Sequence, residues 1–420
     1  MSFQQGLSGL NAASKNLEVI GNNVANSGTY GAKSSRAEFA DLYASALNGG
    51  GTSDVGIGVA VAKVAQQFTQ GNITSTGNAL DLAINGNGFF QVRDASNQTD
   101  YTRNGQFKVD RSGYIVNDQG SKLLGYPADA LGNVIQGKAS PLQLPTGGIN
   151  PHATSTVNMQ FNLDSRDKVT LPTSGAQIDF SDNTTYNNAT SVTMYDAKGQ
   201  DIAVTYYYQK SADDNWNVYA TANGTSIGGD NTNPTPIAQL QFAADGSAIV
   251  SPTGKISFDI PATTNTAGAT VLPVPGVQLD LTGTTEFGSN FGVTNMVQDG
   301  YTAGQMTGVS VDDTGRLIAS YSNGQSKAAG QVELAEFRNP QGLQAIGGNA
   351  WRGTYAAGDP VYGTSGDGNM GSMQSGSLEE SNVDLTAELV SMITAQRDYQ
   401  ANAQTIKTQD QAMQTLVNLR

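Results

Sequence analysis

The sequence predicts an α+β fold that is mainly β. Its N- and C-terminal helices pair as a coiled-coil-like layer, and two or more β-rich domains are nested between them by insertion. Three observations predict this. Apolar residues recur at helical spacing at both ends. Charged residues are only 14% of the chain, against a usual figure of about 25%, while 50 of its 420 residues are Gly. Short Asp-x-x-Gly signals between apolar runs recur through the middle. A chain that covers its surface with uncharged polar groups and turns often builds many short strands.

At the N-terminus, Phe3, Leu7, Leu10, Leu17 and Val24 fall on alternating steps of four and three, with Ser14 and Gly21 at the missing steps. Ala12, Ala13, Val19 and Ile20 widen the stripe, and its small residues let two helices approach closely. Asn26, Ser27 and Gly28 tolerate left-handed backbone and end it. At the C-terminus, Leu385, Leu389, Met392, Tyr399, Ala403, Ile406, Met413 and Val417 hold a/d-like positions, interrupted by Gln396 and Asp410. Ser381 or Asn382 is the expected cap, and Asp384 and Glu388 suit the positive end of the helix dipole. No Gly or Pro interrupts Ser377 to Arg420, so the spacing predicts a helix of roughly 40 residues, about 60 Å long.

Each stripe has a plain reading, a helix packed on its own domain. Their position at the extreme ends and their 3-4 spacing favour helix–helix assembly instead, within the chain and between copies. The expected layout is therefore paired terminal helices at 1–28 and 377–420 and a connector at 29–70. A discontinuous β domain at 71–148 and 301–376 and an inserted outer β domain at 149–300 complete it.

Within the connector, Phe39, Leu42, Tyr43 and Leu47 are apolar, Asn48 to Gly51 break the chain, and a Val-rich run from Val55 to Val64 follows. Leu80, Leu82 and Ile84 alternate with Asp81, Ala83 and Asn85, and Asn85 to Gly88 is expected to turn a hairpin into Phe89 and Phe90. Strand–turn–strand signals run from Val109 to Ile115 and from Val311 to Leu317, with weaker ones at Asp196–Gly199 and Asp245–Gly246. Ala203–Tyr208 and Trp216–Ala220 read as strands of the insert.

The net charge is −14, and residues 151–300 hold 14 acidic and 5 basic side chains, so that stretch alone supplies −9. With no Lys/Arg cluster, this excludes a nucleic-acid partner and marks the insert as a solvated module. No stretch approaches the roughly 18 apolar residues that span a bilayer, so no membrane insertion is expected. The start lacks the basic patch and apolar run of a cleavable signal peptide, so any export is expected by another route.

There is no Cys, and His152 is the single histidine. A histidine base or zinc-type ligand set is thereby excluded, and no catalytic residue, metal or cofactor is assigned. Asp110 and Asp312 are not calcium loops, because Ser121 and Asn323 stand where a bidentate Glu is needed. Gly86-x-Gly88 lacks the third glycine of a dinucleotide loop. The count of carboxylates leaves a hydrolytic pair open, though 7% aromatic residues with two Trp are thin for a sugar cleft.

Several blocks together resemble the flagellar rod and hook axial protein family. The first holds Gly21, Asn22, Asn23, Val24, Ala25 and Asn26, followed by Thr29, Gly31, Lys33 and Phe39, with Ala32 where the family pattern has Phe. The second runs from Ser75 to Ile84 and on through Gly88–Phe90, and Tyr101–Gly105 through Leu123–Tyr126 continues it. The third is Gly376 to Asp384, including Asn382, then Gln396 and Arg397 with Tyr399, Asn402 and Thr408. The middle, Met194–Gly199 with Trp216–Tyr219, then Tyr321–Gln325 with Asn339–Leu343, is similar to the outer domain of the hook members.

The resemblance implies a structural hook subunit, not an enzyme. It would polymerise helically with copies of itself into a curved flexible tube, a universal joint passing torque from rod to filament. It further implies an extracellular place on the basal body and a type III export apparatus. The partners implied are a distal rod protein, a hook-cap protein and a hook–filament junction protein. Alternatives are a junction or distal rod axial protein, a secreted β-rich adhesin, or an extracellular hydrolase.

Overall fold

The computed structural model describes residues 3–42, 56, 58–129, 131–172 and 178–418, with side chains to residue 415. Tyr43, Leu47, the break from Asn48 to Gly51, Val55 and the side chain of Val417 lie outside the described residues. The chain divides into two compact units: residues 1–146, 308–320 and 326–420 form unit 1, and residues 147–307 and 321–325 form unit 2.

In unit 1, helix α1 (Phe3–Ala25) and helix α2 (Leu385–Asn418) pack together antiparallel. The register follows from three pairs. A Cβ on Gly6 would stand 3.0 Å from Ile406 Cγ1, one on Gly9 would stand 2.5 Å from Asn402 Oδ1, and Asn23 Nδ2 donates to Glu388 Oε1. Close approach is therefore built on Gly6 and Gly9. Of the small residues at the missing steps of the stripe, Ser14 is exposed and a Cβ on Gly21 would meet nothing within 4 Å.

Helix α2 starts later than the uninterrupted sequence suggests. Ser377–Glu379 is a strand paired with Ile73–Ser75, and the cap is Asp384, whose Oδ1 accepts from Thr386 N and Ala387 N at 2.9 and 3.1 Å. Asn382 cannot cap because its amide is engaged elsewhere, as described below. The connector contains an antiparallel pair, Ser35–Leu42 with Gly58–Gln66, that packs on α1. There Gln5 Nε2 donates to Gly56 O at 2.6 Å, and Ser8 Oγ accepts from Val59 N at 3.3 Å.

The main sheet of unit 1 runs in the order Met306–Val311, Arg316–Tyr321, Ser326–Val332, Lys122–Pro127, Phe89–Arg93, Thr99–Thr102, Ala350–Arg352, Gln344–Gly347. Leu82–Asn85 does not form the expected hairpin with Phe89–Arg93, but pairs with Ser372–Ser375. Leu82, Ala83 and Ile84 are all buried, so this strand is covered on both faces, and Gly86 and Gly88 (φ 115° and 116°) carry the chain to another sheet. One core gathers Leu82, Ile84, Phe90, Phe107, Ile115 and Leu123. Beside it Phe68, Phe89, Tyr101, Phe337 and Trp351 meet edge to face, ring centroids 4.7 to 6.1 Å apart. Such contacts are worth about 0.5–1.5 kcal/mol each beyond area burial.

Unit 2 holds two sheets around one core. The first orders Ile256–Ile260, Val274–Asp280, Thr156–Asn162 and Gly292–Gln298, with the middle pair parallel. The second orders Asn188–Tyr195, Asp201–Ala212, Asn215–Ala222, Ala238–Phe242 and Ile249–Ser251. Period-2 alternation sends Ile202, Val204, Tyr206 and Tyr208 inward to meet Val157, Met159 and Phe161.

One turn recurs through both units. At Asp110, Asn117, Asp129, Asp196, Asn265 and Asp312 the side-chain Oδ1 accepts from the backbone N–H groups two and four residues on. A glycine three residues on holds positive φ each time, between 76° and 90°. The sequence signal is thus a hairpin device whose carboxylate or amide oxygen is already committed to the backbone.

Two outcomes are expected. Gly9→Val should destabilise the α1–α2 pair by about 1–3 kcal/mol through overpacking. Gly21→Ala, with open space around it, should stabilise α1 by about 0.5–1 kcal/mol. Melting followed by far-UV circular dichroism reads both. In unit 2, hydrogen bonds hold several carboxyls below their ordinary range: Asp164 at about 2 through Arg166, and Asp179, Asp230, Asp245 and Asp280 chiefly through the hydroxyls of Ser181, Thr232, Ser247 and Thr282. A depressed folded pKa contributes stability that is full above the unfolded value and lost as pH falls through the folded one. Unit 2 should therefore lose stability steadily from about pH 4 toward pH 2, measured as the denaturation midpoint by Trp216 fluorescence.

Candidate functional site

Segments of unit 1 remote in sequence converge at the junction between the terminal helices and the β body. Gly31 opens the junction. Its φ is +69°, and a Cβ there would lie 2.4 Å from Asn104 N, so only glycine fits. Its N–H donates to Glu379 O at 2.8 Å, which presents Lys33 to the Glu379 carboxylate.

Lys33 Nζ donates to Glu379 Oε1 at 2.5 Å and to Thr69 O at 2.8 Å. Gly71 N donates to the same Oε1 at 3.0 Å, and Arg103 Nη1 donates to Oε2 at 3.1 Å. Arg103 Nη2 donates to Gly86 O at 2.8 Å. The Lys33 and Glu379 side chains have 0% exposure. Burial pushes the Lys33 ammonium and the Arg103 guanidinium below their ordinary values, and the adjoining Glu379 opposes this in both. Breaking such a buried pair from one side costs about 3–5 kcal/mol, because the remaining charge has no water to turn to.

Amide side chains bind a second ring around the cluster. Asn382 Oδ1 accepts from Ser34 N at 2.7 Å, and its Nδ2 donates to Gln67 O at 2.7 Å and Thr69 Oγ1 at 2.8 Å. Buried Asn23 accepts from Ser35 N at 2.8 Å, and its Nδ2 donates at 2.8 Å to both Ser35 O and Glu388 Oε1. Trp351 Nε1 donates to Gln66 Oε1. A polar cleft of about 220 Å³ lies alongside, lined by Asn22, Asn26, Gln66, Asn349 and Ser381 among others.

The residues singled out in the sequence separate into three groups. Asn23, Gly31, Lys33 and Asn382 meet in the junction, and Asp384 caps α2 beside it. Asn22 and Asn26 bond to each other at the end of α1, where Thr29 N donates to Asn26 O, Ala25 is exposed and Ala32 is buried. Phe39, Gln396 and Arg397 are exposed and take no part in the junction.

The helical stripe divides too. On α1, Phe3 and Leu7 are exposed, while Leu10, Leu17 and Val24 are half-buried. On α2, Leu385, Leu389, Tyr399 and Met413 are exposed, while Met392, Ala403 and Ile406 are half-buried. The less exposed positions of α2 include Glu388, Met392, Ala395, Asn402, Ala403, Ile406 and Gln409, of which Met392, Ala403 and Ile406 belong to the expected track. The expected track is left largely open, and Val390 and Ile393 widen it.

Glu379 and Arg103 were not among the residues singled out, although both lie inside signature blocks. A lone charge in a polar stretch gives no sign of burial. The one available hint is that Glu379 follows Ser377 and Leu378 in a short strand, all three buried. His152 joins Tyr301 through a β-bridge and ring stacking at 5.6 Å. Among the described residues, no group of three or more His, Cys, Asp or Glu is placed to hold a metal, and no helix is long and apolar enough to cross a membrane.

Comparison with known proteins follows the chain end to end. Family models match at residues 3–33 (flagella basal body rod protein), 83–193 (flagellar hook protein FlgE/F/G D1 domain), 162–301 (flagellar basal body protein FlaE D2 domain) and 374–419 (flagellar basal body rod FlgEFG protein C-terminal). The flagellar hook protein FlgE of Escherichia coli K12 is 42% identical over 431 residues, covering 100% of both chains. That of Salmonella typhimurium LT2 is 42% identical over 426 residues, also covering 100% of both. That of Brucella suis biovar 1 is 32% identical over 427 residues, covering 100% of this chain and 98% of its own. In fold, the crystal structure of the Helicobacter pylori flagellar hook protein FlgE2 is similar with a TM-score of 0.53 at 15% identity, covering 72% of this chain and 99% of that one. Full-length identity at this level settles the assignment: the chain belongs to the flagellar hook protein family and is a structural subunit of the hook.

Proposed function

We propose that this subunit polymerises helically through its terminal helices into a curved, flexible tube that carries torque from rod to filament. The observation that carries this reading is the open apolar track in unit 1. Leu385, Leu389, Val390 and Ile393 of α2 are 45% to 60% exposed, and Phe3 of α1 is 53% exposed. Phe39, Leu42, Val61 and Val64 of the strand pair beside α1 are also exposed. Fully burying a side chain of this kind yields about 1.5–3 kcal/mol, so covering four or five of them between copies supplies on the order of 10 kcal/mol as an upper bound. A row of large apolar groups outside a seam of small ones supports a second layer of helices, supplied by neighbouring copies.

Unit 2 supports the flexible half of the reading. Its surface is acidic and rich in Asn, Ser, Thr and Gly, so contacts between copies there are polar and hydrated. Such contacts exchange partners at low cost as a tube bends, whereas interlocked apolar side chains resist sliding. Axial neighbours in this reading are a distal rod protein, a hook-cap protein and a hook–filament junction protein. The chain would reach them outside the cell through the flagellar type III export apparatus.

The test separates the open track from the covered one. Leu389→Asp combined with Ile393→Asp should leave unit 1 folded, with unchanged circular dichroism, yet abolish tubes in negative-stain electron micrographs. Ile406→Asp strikes the covered seam against Gly6 and should lose helical signal as well. Normal curved tubes from the double variant would remove the basis for assembly through this face.

A further inference from the structure

One part of unit 2 buries polar groups that no described residue satisfies. Lys210, late in the strand Asp201–Ala212, and Glu286, in the stretch after Val274–Asp280, have side chains only 4% and 1% exposed. Their approach, Lys210 Nζ to Glu286 Oε1, is 3.5 Å. A charge-assisted hydrogen bond runs at about 2.7–2.9 Å, so the two charges face each other without a direct bond of that kind. Neither Glu286 oxygen accepts a hydrogen bond from any described residue. Two further buried atoms of the same segments lack partners among the described residues. They are Thr284 Oγ1 and Nε1 of Trp216, whose ring centroid lies 5.7 Å from Lys210 Nζ.

The protein groups around the pair are already committed. Lys210 Nζ donates to Ser165 O at 2.6 Å. Asp164, the other carboxyl that feels the charge of Lys210, is held by the Arg166 guanidinium at 2.8 and 2.7 Å. The backbone that carries Glu286 is fixed, since Glu286 N donates to Gly246 O, Thr285 N donates to Phe161 O and Leu163 N donates to Thr285 O. The carboxylate therefore stands where it does without closing on the ammonium.

We infer that unit 2 has a built water site between Lys210 and Glu286, in which at least one buried water bridges the ammonium to the carboxylate. A buried carboxylate without hydrogen bonds is strongly unfavourable, and a buried water is retained where it finds about two to four polar partners. Here the carboxylate accepts from the water, the ammonium donates to it, and the Trp216 indole and Thr284 hydroxyl complete the set. A metal cation is disfavoured because the Lys210 ammonium already faces the carboxylate, and an anion is repelled by Glu286. The water would join the second sheet of unit 2, through Lys210, to the stretch that follows the first sheet's strand Val274–Asp280. This site belongs to unit 2 alone and does not rest on the assembly reading.

The test uses the full-length chain in water. Nuclear Overhauser transfer from water to the Trp216 indole proton, a signal identified by its loss in Trp216→Phe, should carry the sign of a water that tumbles with the protein. Magnetic relaxation dispersion of the water oxygen nucleus then counts the long-lived waters. Lys210→Met combined with Glu286→Met removes both charges at similar volume, a change that buried pairs tolerate. Near-ultraviolet circular dichroism should stay unchanged in that double variant, while the count falls by at least one and the indole transfer weakens. An unchanged count in the folded double variant would overturn the inference. So would the absence of water transfer to the indole in the unaltered chain, which decides the matter alone if the double variant fails to fold.

Discussion

A carboxylate with no exposed surface is the constraint from which the rest of unit 1 follows. Glu379 must be matched where it lies, and the matching requires one cation from the segment after α1 and another from the β body, with an amide from Gly71. Gly31 has to be glycine so that the backbone can turn left-handed against Asn104 and deliver Lys33. The direction in which the N-terminal segment leaves the junction, and hence the line of α1, is set there. Asn382, three residues past Glu379, ties Ser34 to Gln67 and Thr69, so it is unavailable as a helix cap and α2 begins only after Asp384.

Beyond the junction the helices show two kinds of surface on one cylinder. The inner track of α2 meets Gly6 and Gly9 with Ile406 and Asn402, and the two glycines bring the axes close. The outer track holds larger apolar groups that the described residues leave about half exposed. Cohesion inside the subunit thus rests on proximity and amide hydrogen bonding, and in the proposed function the larger apolar groups are the part offered to other copies. A helix pair arranged the other way round would be more stable alone and have less to offer a neighbour.

Much of this was legible in the residues. The terminal helices, the nested β middle and the Asp-x-x-Gly turns follow from periodicity and backbone preference, which are local properties. On α2 an apolar count weights Leu385 and Leu389, which stand exposed, whereas the intrachain contact of Ile406 and Asn402 is made possible by Gly6 and Gly9, which no apolar count registers. Asn85 to Gly88 looked like a hairpin turn since its glycines permit one. Burial of Leu82, Ala83 and Ile84 on both faces assigned the strand to a partner nearly three hundred residues away instead. Glu379 and Arg103 lie within signature blocks, but sequence alone does not report which charges are buried, and only the fold shows them as partners.

The recurrent turn bears on the order in which the molecule forms. Each copy closes on itself within four residues through one side-chain oxygen and one glycine. Its loop-closure entropy is accordingly small, and the strands it joins meet without waiting for distant chain. The junction lies at the opposite extreme of sequence separation. The hairpins thus carry the smallest loop-closure cost in the molecule, and the contacts that join its beginning to its end carry the largest.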